Sequence, residues 1–290
     1  MLGVLAGIGA SAIWGTLVLY WHLLQQVSPL EILAHRIVWS FVFIAPVVLC
    51  ARRMPEVGAV LRDKGTLLRV FLSAVLIACN WGTYIYAVTS GQVPEASLGY
   101  YINPLVNVLL GCIVLRERPS RLQWFAIALA ALGVMYSLVV GGHMPWLALT
   151  LAVSFALYGL IRKTVRVESA PGLLLETCLL MPFALAWMVW MHSQGALFFN
   201  PVQEMQASLL LIGGGVITAV PLLLFTYAAR HISLITLGLL HYISPTITLL
   251  LGILVLGALV DQTTLVTFCC IWAALAVYTW CGVRRFRKSP

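Results

Sequence analysis

The feature that most restricts this chain is a succession of ten long apolar stretches. They lie at roughly 2–22, 31–51, 67–88, 95–115, 121–140, 146–161, 172–191, 207–228, 233–257 and 263–283. A helix needs about 20 apolar residues to cross a hydrocarbon core. Inside hydrocarbon each backbone N–H and C=O must find its partner within the chain, so such stretches predict helices. The sixth is short, and the turn Gly141-Gly142-His143-Met144-Pro145 marks its start. The longest polar connections, near 52–66 and 192–206, are too small to hold a soluble domain. Composition agrees: 62% of residues are hydrophobic, 9% are charged and mean hydropathy is +1.01, where a soluble domain carries about 25% charge. The expectation is an all-α integral membrane protein of ten transmembrane helices. Soluble enzymes, secreted disulfide scaffolds and disordered proteins are set aside. The first stretch has no basic n-region, and Ala10-Ser11-Ala12 is a weak cleavage match, so it reads as a retained helix.

Sidedness tests the count. With the start of the chain placed in the cytoplasm and sides alternating, sixteen of the seventeen basic residues fall on one face. They are Arg52, Arg53, Arg62, Lys64 and Arg69; Arg116, Arg118 and Arg121; Arg162, Lys163 and Arg166; Arg230; and Arg284, Arg285, Arg287 and Lys288. The opposite loops hold Glu31, Glu95, Glu204 and Asp261 and no Lys or Arg. This is the positive-inside pattern, with both termini cytoplasmic and Arg36 the exception. A missed helix would scramble everything after it. The net charge of +8 therefore reads as a topology signal, and no nucleic-acid partner is expected. The seven cysteines are odd in number, lack CxxC spacing and have no His at ligand spacing, so they read as small core residues. No metal and no cofactor are expected.

The chain also resembles itself. Tyr101-Ile102-Asn103-Pro104 returns as Tyr242-Ile243-Ser244-Pro245, 141 residues later. The same offset pairs Tyr86-Ala87 with Tyr227-Ala228, Leu109-Leu110-Gly111 with Leu250-Leu251-Gly252, and Val114-Leu115 with Val255-Leu256. The unit holds five helices, and five is odd, so the second unit enters the membrane in the opposite sense. Residues 1–141 and 142–290 are thus expected to be two inverted repeats of one membrane domain, an arrangement typical of secondary transporters. Pro104 and Pro245 match across the repeat and mark expected helix breaks, whose freed carbonyls face either a cavity wall or a plain structural kink.

Ionisable groups at membrane depth are costly and are functional candidates. Arg36 lies in the second stretch beside His35, and Glu176 in the seventh. Arg36 offers a cation and a fork of donors to an anionic or carbonyl-bearing solute; alternatively it snorkels and pairs with Glu31. Glu176 reads with Arg162 as an inner gate or proton carrier, or as a static salt bridge. His35 and His241 suit a proton relay, or are satisfied core histidines. The uncharged candidates for substrate binding are Trp14, Asn80, Tyr84, Tyr100, Asn103, Tyr158 and Tyr242, joined by Arg36 and His241. A polar stripe on an apolar helix faces the protein interior, where it lines a site or acts as interhelical glue. Aromatic walls with a few hydrogen-bonding groups suit an amphipathic organic solute. Trp21 and Trp190, near helix ends, fit an interfacial belt. Gly3 and Gly7 could pack helices within or between subunits, so a homodimer is kept as a candidate.

Several motifs carry a family resemblance over nearly the whole chain. Leu30-Glu31-Ile32-Leu33-Ala34-His35-Arg36-Ile37-Val38-Trp39-Ser40 resembles the second-helix motif of RarD-type permeases, which belong to the EamA group of the drug/metabolite transporter superfamily. Asn80-Trp81-Gly82-Thr83, Ser97-Leu98-Gly99-Tyr100-Tyr101-Ile102-Asn103-Pro104-Leu105 and Tyr158-Gly159-Leu160-Ile161-Arg162-Lys163 are similar to further motifs of that group. So are Leu175-Glu176-Thr177, Pro221-Leu222-Leu223-Leu224-Phe225 and Leu237-Gly238-Leu239-Leu240-His241-Tyr242-Ile243-Ser244-Pro245. The resemblance implies ten helices in two inverted halves, a central cavity lined by helices one to four and six to nine, and movement of small metabolites or drugs across a bacterial inner membrane. His241 departs from the pattern, where Gln is expected. The loop Gly257-Ala258-Leu259-Val260-Asp261 lacks the Glu that Glu117 supplies in the first half.

The leading class is therefore a secondary transporter working by alternating access on a small-molecule substrate. No GxxxxGK[ST] loop is present for direct use of ATP, and a proton-coupled cycle would draw on Glu176, His35 or His241. No catalytic residues are assigned: HExxH and GxSxG are absent, and Asp63 and Asp261 both lie in loops. An intramembrane lipid-modifying enzyme, or a channel or receptor, are the alternatives.

Overall fold

The computed structural model describes residues 1–90, 92–141, 144–257 and 262–286. They form twelve α-helices, with no strand among the described residues: α1 (Leu2–His22), α2 (Pro29–Cys50), α3 (Met54–Arg62), α4 (Lys64–Thr89), α5 (Val93–Ile113), α6 (Arg121–Gly141), α7 (Trp146–Thr164), α8 (Ser169–Ser193), α9 (Met205–His231), α10 (Leu234–His241), α11 (Ile243–Leu254) and α12 (Gln262–Phe286). Among the described residues, nine helical spans are long and apolar enough to cross a membrane, α10 and α11 counting together as one. Within α12, Gln262–Tyr278 is apolar but shorter. The chain is a multi-pass membrane protein.

The helix boundaries follow local chemistry. Pro29 opens α2, where the missing N–H is no loss. Ser233 caps α10, its hydroxyl oxygen accepting the N–H of Thr236 at 3.0 Å. The Glu117 carboxylate accepts the N–H of Leu234 at 2.8 Å and of Ile235 at 3.0 Å, so an acidic side chain from the α5–α6 connection seals the same helix end. The counterpart loop 258–261, with Asp261, lies outside the described residues, as do Gly142, His143, Arg287 and Lys288.

Three expectations are corrected. The connection near 52–66 is not bare loop. It holds α3, whose Val57 and Val60 are buried while Glu56 and Arg62 face outward, so a nine-residue amphipathic helix sits where charge hid its periodicity. Most of the described cysteines are not core residues: Cys50, Cys79, Cys178 and Cys269 are exposed on helix surfaces, while Cys112 and Cys270 are half-buried. A thiol is apolar enough to tolerate an outward position in a membrane span. The matched prolines behave differently. The ninth apolar stretch breaks at Tyr242, where Pro245 cannot donate to the His241 carbonyl, whereas Pro104 lies inside the unbroken α5.

Helices from the two ends of the chain interleave. α2 packs on α8 and α9, α1 on α9 and α11, α4 on α7 and α8, α5 on α7 and α10, and α6 on α12. Glycine permits the closest approaches. A Cβ at Gly15 would lie 2.6 Å from the Ile247 Cβ, and one at Gly215 would meet the Trp39 backbone. Gly3 and Gly7 are used in the same way within the protomer, against His231 and Leu240. The largest buried cluster joins α1, α2, α4, α7, α8 and α9, with Ala10, Ile44, Val70, Tyr158 and Phe225 near its centre.

Candidate functional site

A cavity of about 550 Å³ sits among α1, α2, α4, α5, α7, α9 and the α10–α11 break. Its lining gathers toward the face where α1 ends and α2 begins, from Trp14, Leu17 and Trp21 on α1 and Arg36 on α2. Tyr100 keeps 43% of its surface exposed there. Seven of the nine expected substrate-binding residues line it: Trp14, Arg36, Asn80, Tyr84, Tyr100, Asn103 and His241.

Arg36 is held on several sides. Its Nε donates to Thr218 Oγ1 at 2.9 Å, and the indoles of Trp21 and Trp81 each lie 5.0 Å from its Cζ. It does not pair with Glu31. That carboxylate, fully buried, accepts the backbone N–H groups of Phe198 (3.0 Å) and Phe199 (2.8 Å) instead. The rings of Tyr84 and Tyr100 meet edge to face at 6.2 Å.

The polar stripe serves as wall and glue together. Asn80 donates to the Leu151 carbonyl at 2.8 Å and to Ser154 Oγ at 3.1 Å, tying α4 to α7. Asn103 donates to the Ala152 carbonyl at 2.8 Å and accepts from Asn107 at 3.0 Å, tying α5 to α7. The floor is aromatic. Trp14 lies 5.6 Å from Phe155 and 5.5 Å from His241, and Phe155 stacks on His241 at 5.5 Å. His241 Nδ1 is buried without a hydrogen-bond partner among the described residues.

Tyr158 and Tyr242 lie off the cavity, because a buried phenol goes where its hydroxyl finds an acceptor. Tyr242 donates to the Tyr101 carbonyl at 3.1 Å. Tyr158, behind Phe155 and Phe225, donates to Glu176 Oε2 at 3.2 Å. There a second cluster begins. Glu176 Oε1 accepts from Ser73 Oγ at 2.6 Å and faces Arg162 Nε at 3.7 Å, both ionic side chains being buried. Arg162 Nη2 donates to the carbonyls of Ser169 (3.3 Å) and Glu168 (3.4 Å). The guanidinium fits only because residue 172 is glycine, since a Cβ there would collide with it. Nearer the surface, Glu168 pairs with Arg230 at 3.1 Å and Arg53 at 3.8 Å, and Lys163 donates to the carbonyls of Ala229 and Ile232. Aromatic floor, buried Glu176 cluster and surface ion pairs thus stack in three layers on one side of the cavity.

His35 does not reach the cavity. It accepts the Trp39 indole N–H at Nδ1 (3.0 Å), packs against the tilted ring of Phe199 at 4.7 Å and faces Glu31 at 3.8 Å. Pro245 lines the cavity and Pro104 does not.

Sequence reasoning missed Trp21, Thr218 and Phe155. A tryptophan near a helix end reads equally as a belt residue, and a lone threonine in a helix carries no pattern. Phe155 was within reach, since the 141-residue offset pairs it with Trp14.

Comparison with known proteins supplies the remaining observations. The family model for the EamA-like transporter family matches residues 1–139. The chain is 45% identical to "Uncharacterized transporter YojE" of Bacillus subtilis, over 99% of this chain and 96% of that protein. It is 41% identical to "Protein RarD" of Escherichia coli K12, over 99% and 97%. It is 31% identical to "Chloramphenicol-sensitive protein RarD" of Pseudomonas aeruginosa, over 99% and 96%. One crystal structure, at 20% identity, superposes with a TM-score of 0.71 over 96% of this chain and 97% of the other, a likeness in fold alone.

Proposed function

The chain belongs to the EamA-like transporter family, among its RarD-type permeases, and from that premise we propose that it is a secondary transporter. It moves small metabolites or amphipathic drugs across a bacterial inner membrane by alternating access, without an enzymatic step. Ten helices, α10 with α11 forming the ninth and α12 the tenth, make two inverted halves with both termini in the cytoplasm.

One observation carries the reading: an aromatic cavity is accessible toward one face and closed by three layers toward the other. The positive-inside pattern supports a cytoplasmic position for the closed face, since Arg53, Lys163 and Arg230 lie on it. Helix packing supports the inverted repeat. Exchanging α1 with α7, α2 with α8, α4 with α9 and α5 with α10–α11 turns the α1–α9 contact into α7–α4, α2–α9 into α8–α4, and α1–α11 into α7–α5, all of which occur. Trp14 and Phe155, and Tyr101 and Tyr242, are each 141 apart and touch. Two near-equivalent halves can rock about the cavity and open the other side.

Proton coupling belongs to the proposal through Glu176, a buried carboxylate on the closed side that Ser73, Tyr158 and Arg162 all address. Uptake or release by proteoliposomes under an imposed pH gradient tests both parts. Solute movement that follows the gradient, and loses that dependence in Glu176→Gln, supports coupling. Movement indifferent to the gradient removes coupling but leaves the carrier, and no protein-dependent movement of any metabolite in an untargeted comparison removes the carrier.

A further inference from the structure

The transport reading leaves the solute's chemistry open, and the cavity wall narrows it. Among the described lining residues Arg36 is the one with a permanent charge, and no Asp, Glu or Lys stands on that wall. An unpaired cation at membrane depth is expensive, and such groups are ordinarily matched by a partner. The nearest candidate in sequence, Glu31, is spent on the backbone of Phe198 and Phe199. Arg36 nevertheless does not escape to the surface. Thr218 fixes its Nε, and two indoles flank it at 5.0 Å each. Its terminal N–H groups donate to no described residue and are not sealed from the cavity.

A guanidinium fixed at one nitrogen and flanked by π faces is pre-organised to present its remaining N–H fork. That fork matches the two oxygens of a carboxylate. The Trp14, Phe155 and His241 rings offer an aromatic bed for the rest of a ligand. The same wall argues against other charge types. A cation would meet Arg36 with no counter-charge, and the indole faces best placed for it are already occupied by the guanidinium. A zwitterion would bring an ammonium group for which the described wall holds no carboxylate.

We propose that the solute of this cavity is an organic monoanion, a carboxylate on an aromatic or other apolar body, bound through Arg36 in preference to its neutral, cationic and zwitterionic counterparts. The assignment rests on the carrier reading for what happens after binding, but binding itself can be measured alone.

The test uses the full-length protein in nanodiscs and matched probe sets: 3-phenylpropionate with its amide, 3-phenylpropylamine and phenylalanine, and 4-methylpentanoate with its amide and leucine. Equilibrium binding should favour each acid over its amide by about tenfold or more, the usual worth of charge-assisted hydrogen bonds, with amines and amino acids weaker still. Arg36→Gln should erase the preference, and Arg36→Lys should keep part of it. If Arg36→Gln does not fold, the wild-type order decides. Amides, amines or amino acids binding as tightly as the acids, no acid in the panel binding, or a preference that survives Arg36→Gln would overturn the proposal. Flux of the same probes into proteoliposomes separates the two readings. Acids that bind but are never carried refute the carrier and leave the anion site. Carriage of neutral or cationic probes without acid preference does the reverse.

Discussion

Asn103 shows how far one side chain's role depends on its neighbours. In sequence it was an intramembrane polar residue that suited a ligand or a helix contact equally. In the structure it faces the cavity and also bonds the Ala152 carbonyl and Asn107. Asn103→Ala removes the tie to the Ala152 carbonyl and strips the buried Asn107 amide of its acceptor, and should destabilise the protein by about 1–3 kcal/mol. Tyr100→Phe loses no hydrogen bond to a described residue and should leave Tm unchanged; thermal unfolding of the purified variants checks the contrast. The Arg162–Glu176 pair makes a sharper case. Glu176→Leu strands a buried guanidinium and should cost about 3–5 kcal/mol, while Arg162→Met with Glu176→Leu should cost less than that single change. A double-variant cost equal to the sum of the two single-variant costs would mean the pair is not coupled. Charges in apolar runs were legible because hydrocarbon makes them rare, so Arg36 and Glu176 stood out. Their partners were not, because Thr218 and Ser73 look like any small polar residue in a helix.

Among the elements, α10 depends on a distant carboxylate. Glu117 accepts two N–H groups at its start. Glu117→Gln should speed amide hydrogen exchange at Leu234 and Ile235 and lower stability by about 1 kcal/mol, as loss of a charged cap does; unchanged exchange would exclude the role. The start of α4 carries a pH signature. Asp63 accepts from Thr66 Oγ1 and the Gly65 N–H, and these bonds hold its carboxyl below the usual carboxylate range. A lowered folded pKa stabilises above the unfolded value of about 4 and is lost as pH falls through the folded value. Protection of the Gly65 N–H, its exchange rate divided into the intrinsic rate at the same pH, should therefore fall only in that acidic window, and should be low at every pH in Asp63→Ala. The apolar stretches announced the long helices. α3 escaped because half its residues serve the surface, and of the two breaks that the matched prolines announced only the one beside Pro245 occurs, because α5 runs whole through Pro104.

At the scale of the molecule, the proposed cycle requires the closed face to part. The barrier there consists of the aromatic floor, the Glu176 cluster and the Glu168 ion pairs that join α8 to α9 and Arg53. The surface pairs are about 38% exposed at Glu168 and hold little energy alone, so they can break and reform within a cycle. The most direct measurement cross-links that face. With the native cysteines replaced, Glu168→Cys and Arg230→Cys are bridged by a short bis-maleimide, and binding and flux are compared before and after. The account predicts that bridged protein still binds solute in the cavity but carries none, while either single cysteine, treated alike, carries it normally. Undiminished flux through fully bridged protein would contradict it.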